Sequence, residues 1–84
     1  MTHPNPLTLP MSHKLGVRKA GQTYEVGSFD PAAIDEVASR FDTGAFRGVH
    51  RFGPQLIHYV VVSRQVAAAV QSHYRCPFYD ADRR

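Results

Sequence analysis

Phe46-Arg-Gly-Val-His-Arg-Phe52, Gly53-Pro54 and Gln55-Leu-Ile-His-Tyr-Val-Val-Val62 together decide the fold. The first segment alternates, the Gly-Pro pair breaks it, and Leu56 to Val62 resumes as an extended, β-branched run. A period of two marks strands, and the break between them marks a tight hairpin. With Pro54 and Gln55 at the centre of the turn, Phe52 faces Ile57, His50 faces Tyr59 and Val49 faces Val60. Phe46, His50, Phe52, Ile57, Tyr59 and Val61 then share one face, and Arg47, Val49, Arg51, His58, Val60 and Val62 share the other. Moving the two-residue turn by one position keeps this partition, because side chains alternate strictly along a strand. The ring-rich face is the expected core face, which leaves Arg47, Arg51 and His58 on an open one.

Ser63 caps a helix that follows directly, with Val66, Ala69, Val70 and His73 or Tyr74 on one stripe. Upstream, Asp30 and Pro31 open another, whose Ile34, Val37, Ala38 and Phe41 follow helical spacing and whose natural stop is Gly44. Lys14–Arg18 and Thr23–Gly27 flank a first hairpin with Gly21 in its turn. Cys76-Pro-Phe-Tyr-Asp80 reads as a short edge strand or a tail packed by its rings. The order is (β)βαββα(β). It predicts an α+β fold, a small antiparallel sheet of three to four strands with two helices on one face, ferredoxin-like or a close variant. The expected organisation is a Pro-rich tail over 1–12, one domain over 13–80 and a C-terminal tail over 81–84.

Eighty-four residues, 43% of them hydrophobic, suit one folded core. No apolar stretch approaches the ~20 residues that span a bilayer. Met1 to Pro10 contains three prolines and no apolar signal core, so export is not expected, and Met11 is a possible alternative start. The single cysteine, Cys76, excludes an intramolecular disulfide framework, and a cytoplasmic location is expected. Residues 23–74 hold four arginines against five acids, a balance of −1; residues 1–22 add +3 through Lys14, Arg18 and Lys19, and residues 75–84 add +1. Positive charge outside the central segment is compatible with contact to nucleic acid, although an ordinary solvated surface is the commoner reason for such a pattern.

Arg47 and Arg51, with His58 beside Arg51, form the first candidate site, since guanidinium forks match phosphate and carboxylate. The bland alternative is that they keep an exposed sheet face solvated. His50 opposite Tyr59 offers acid–base chemistry of the kind that small bacterial ribonucleases place on a sheet, although on a core face a hydrogen-bonded, buried histidine is the commoner outcome. His58, His73 and Cys76 are the one metal-type grouping; no second close-spaced ligand pair supports it, and no metal or cofactor is expected. Gly48, inside a strand, is expected to mark a bulge.

Val26-Gly-Ser-Phe29 followed by an Ala-rich helix resembles the opening of a SPOR domain, a βαββαβ module that binds denuded peptidoglycan glycans. The matching second half is replaced here by Tyr59-Val-Val-Val-Ser63. The element order is also similar to that of the RNA-recognition fold, whose aromatic stacking motif is absent from both strands of the second hairpin. Neither resemblance assigns the chain to a family. The function expected is therefore that of a small non-enzymatic binding module, monomeric or homodimeric. It would dock on a protein or nucleoprotein and modulate or block it, as inhibitors, antitoxins and phage anti-defence proteins do. Its binding residues would be Arg47, Arg51, His58, Lys14, Arg18 and Lys19. Direct nucleic-acid binding and His-dependent RNA cleavage are the alternatives.

Overall fold

A computed structural model describes residues 14–44 and 46–81. The N-terminal tail expected over 1–12, His13, Ala45 and the last three residues lie outside them. The fold is α+β: a five-stranded mixed sheet with two helices. Strands β1 (Gly16–Ala20) and β2 (Thr23–Ser28) form a hairpin, and α1 (Pro31–Arg40) follows. Strands β3 (Arg47–Phe52) and β4 (Gln55–Val62) form the second hairpin, followed by α2 (Arg64–Tyr74) and β5 (Phe78–Asp80). Across the sheet the order is β3-β4-β2-β1-β5. All neighbours are antiparallel except β1 and β5. The expected antiparallel sheet of three to four strands is thus enlarged by β5, whose parallel pairing makes it mixed. Its Pro77 carbonyl accepts from the Val17 amide, and the Ala81 amide donates to the Lys19 carbonyl.

Both hairpins turn on a glycine at the first central position. Gly21 has φ +59° between the paired Ala20 and Thr23, and Gly53 has φ +61° between Phe52 and Gln55. Positive φ at that position matches the twist of the flanking strands and costs a side-chain-free residue nothing. The second turn therefore centres on Gly53 and Pro54, one position before the expected place. His50 pairs with Ile57, Val49 with His58 and Arg51 with Leu56. The face partition survives the shift.

The helix caps form as expected. The Asp30 carboxylate accepts from the Ala32 amide at 3.0 Å and the Ser63 hydroxyl from the Val66 amide at 3.1 Å. α1 ends before Gly44, with Phe41 already extended and its amide held by the Val37 carbonyl. Its buried stripe is Ala33, Ile34 and Val37, with Ala38 exposed; that of α2 is Ala67 and Val70, with Ala69 exposed.

The buried face of the sheet is the reverse of the one expected. Val17, Val26 and Val60 lie side by side across β1, β2 and β4, with Val62 opposite Tyr24. They join Ile34, Val37, Ala67, Val70, Leu15 and Cys76 in one core. Phe46 is 61% exposed and Phe52 66% exposed. The reason lies in the central strand β2: Val26 points to one side and Glu25 and Gly27 to the other. A core under both helices can take the valine but not an unpaired carboxylate. Once β2 is oriented, its ladder with β4 puts Val60 and Val62 inward and the rings of the second hairpin outward.

Candidate functional site

The helix-free face carries a groove of about 480 Å³. Its floor lies where Gly16 on β1 and Gly27 on β2 are direct cross-strand partners; Ile57 covers Gly27, where a Cβ would stand 3.2 Å from its Cγ2, and Gly16 is left bare. A Cβ at Gly16 would meet nothing within 4 Å. Ile57, Tyr59, His50 and Phe52 form the wall on the β3–β4 side. Arg18 and Tyr79, a cross-strand pair between β1 and β5, form the opposite wall, with Lys14 and Phe29 at one end.

Polar groups meet at Glu25. Only 11% of its side chain is exposed, and its Oε1 accepts from Arg18 Nη1 at 3.3 Å and lies 3.0 Å from His50 Nε2. Such a confined carboxylate needs hydrogen-bond partners, and it has a guanidinium on one side and an imidazole on the other. His50 reaches it across β4 by lying flat on Tyr59, with ring centroids 4.2 Å apart and planes at 11°. Tyr59 in turn lies over Gly48, where a Cβ would sit 2.5 Å from the phenol oxygen. Gly48 therefore marks no bulge, since β3 and β4 pair without interruption through it. It is the space into which the Tyr59 ring folds. Phe46 flanks the same ring at 6.1 Å.

The residues expected to bind a partner are divided between the two faces. Arg47 stands at the end of the valine row, on the helix side: its Nη1 bonds Asp35 Oδ1 of α1 at 2.6 Å and its Nη2 the Pro31 carbonyl at 3.4 Å. His58 is half-buried on that side, opposite Val49 and Ser28. Lys19 also alternates to that side, opposite Tyr24. Arg51 is exposed near the β3–β4 turn and contributes to the groove lining, as do Lys14 and Arg18. Lys14 is paired with Asp30 at 3.4 Å. The expected Arg47, Arg51 and His58 patch on a free sheet face is thus not formed, because that face carries the helices. His73 packs edge-on to Phe41 at 5.7 Å and Cys76 is in the core, where burial raises its thiol pKa. Among the described residues no group of three or more His, Cys, Asp or Glu stands together as metal ligands would.

Glu25, Gly16 and Gly27 were not singled out from the sequence, and His50, Tyr59 and Phe52 were placed in the core. The available signal was the alternation in Thr23-Tyr-Glu-Val-Gly27, which already opposes Val26 to Glu25 and Gly27. Comparison with protein-family models, curated proteins and solved structures finds no match for the chain. Among the described residues no helix is long and apolar enough to cross a membrane.

Proposed function

We propose that this protein is a small non-enzymatic binding module that takes single-stranded nucleic acid, alone or within a nucleoprotein, on the open face of its sheet. The observation that carries the reading is the groove itself: a floor open at Gly16 between aromatic walls, with Lys14 and Arg18 in its lining. Unpaired bases stack on such rings while cations track the backbone, a sequence-tolerant mode of recognition. The strand order supports it as a variant of the ferredoxin-like arrangement: β2 and β3 are parallel with β4 between them, and β1 intervenes before the last strand. Bound there, the module would act by occupancy, modulating or blocking the complex on which it sits.

Titration of labelled single-stranded DNA and RNA at two salt concentrations tests this. Binding is expected to weaken as salt rises. Phe52→Ala is expected to cost about 1–3 kcal/mol of affinity, whereas Arg47→Ala, on the other face, should leave affinity unchanged. Absence of binding at low salt removes the reading and leaves a protein partner for the same exposed rings. A second reading, RNA cleavage, gains from one observation: His50 lies in the groove with Nε2 held by a carboxylate, an arrangement that orients an imidazole for proton transfer. It requires that the parent protein cleave labelled RNA and that His50→Ala abolish the cleavage while His58→Ala does not.

A further inference from the structure

A nearly buried carboxylate in a groove meant for a polyanion calls for a reason, because its charge repels phosphate. We infer that the cross-strand pair Arg18 and Glu25 reads the edge of a guanine base. The inference rests on the nucleic-acid reading above and names the base that the groove selects.

Three observations carry it. Arg18 and Glu25 are direct partners across β1 and β2, so a fork of donors and a pair of acceptors stand side by side on one groove wall. Both bonds to the carboxylate, from Arg18 and from His50, converge on Oε1, and neither uses Oε2. Next to the pair, the bare backbone at Gly16 leaves room for a planar ring, between Tyr79 on one side and the Ile57 side chain over Gly27 on the other.

Guanine displays complementary groups in matching order. Its N7 and O6 accept, which suits the guanidinium, and the neighbouring N1–H and N2 amino group donate, which suits the carboxylate. Adenine presents the reverse: its N6 amino group would face the arginine donors and its N1 lone pair the carboxylate. Cytosine and uracil each offer at most one donor to the carboxylate, and neither supplies the N7 and O6 acceptor pair. Discrimination thus comes from mismatched polar groups in a confined site as well as from matched ones. His50 is a positioning residue here. It holds the carboxylate from the far side and contributes no contact to the base.

The test uses short labelled oligouridylates carrying one central guanine, inosine, adenine or cytosine, with the full chain. The guanine oligomer is expected to bind at least about tenfold more tightly than the adenine one. Inosine, which lacks the N2 amino group, is expected to lie between them. Glu25→Gln removes the charge that repels phosphate and is expected to lose the guanine preference, read as the ratio of guanine to adenine oligomer affinity, whatever its affinity for plain oligouridylate. Should that variant fail to fold, the inosine and adenine ratios on the parent protein decide alone, because they alter the ligand and not the protein. Competition by 5′-GMP and not by 5′-AMP would assign the site to the free nucleotide as well as to the strand; failure of both to compete, with the oligomer preference intact, would assign it to the strand only. Equal affinity for all four oligomers overturns base reading and leaves the groove as a general binder. No binding by any of them at low salt overturns the nucleic-acid reading and this inference together.

Discussion

Gly48 shows how a single missing side chain shapes the site. The Tyr59 ring occupies the space where its Cβ would be, and His50 lies on that ring to reach Glu25. Gly48→Ala pushes on the far end of a side chain that can swing outward, so the fold is expected to lose only about 1 kcal/mol. The stack that holds His50 should come apart. Oligonucleotide affinity, measured beside thermal unfolding, is expected to fall by much more than stability does; equal and small losses in both would separate Tyr59 from the site. Cys76 illustrates the opposite case, a reactive group kept out of use. Burial raises its pKa, so the folded state prefers the neutral thiol. Stability is therefore expected to decline as pH rises through and above the ordinary thiol range, where the unfolded chain ionises first. Thiol-modifying reagents should label Cys76 slowly in the native protein and rapidly in denaturant.

At the level of elements, the caps and the first turn are readable because each depends on a few adjacent residues, whereas the second turn falls one position before the expected place. Asp30 with Pro31, Ser63, Gly21 and Gly53 need no distant partner to do their work. The end of α1 was less readable: Gly44 is a plausible stop, yet Phe41 leaves the helix earlier because its ring packs against the core and against Tyr74. The end of α2 was not readable either, since Arg75 adopts the left-handed conformation at φ 54° without being glycine. That conformation costs an L-residue about 1–2 kcal/mol, part of which glycine would return as chain entropy. Arg75→Gly is accordingly expected to stabilise the protein by about 0.5 kcal/mol and to raise the unfolding midpoint by a few degrees. An unchanged or lower midpoint would mean that the Arg75 side chain makes a compensating contribution.

For the whole molecule, the two faces of the sheet divide the labour. One is a close-packed layer of valines under two Ala-containing helices, in which Ile34, Val37, Val26 and Val70 are fully buried. Ile34→Ala in that layer is expected to cost about 2–5 kcal/mol, a large part of the stability of so small a domain. Chemical denaturation should show an earlier midpoint, with the groove residues untouched. The other face keeps rings in the open around a nearly buried carboxylate. The expected assignment of these two faces was reversed, which had put Arg47 and His58 on the open one.

Local chemistry alone determined the central β-α-β-β-α order, the first glycine turn, the helix caps and the division of the second hairpin into a ring face and a valine–arginine face. Each of these depends on neighbours in the chain or on strict alternation. Which face went inward was decided only by tertiary structure. That choice depends on β2 sitting in the middle of the sheet, where Val26 and Glu25 cannot exchange places without stranding a charge beneath the helices. The meeting of His50 with the Arg18–Glu25 pair is tertiary too, because β3 must reach the first hairpin across β4 before the imidazole can touch the carboxylate.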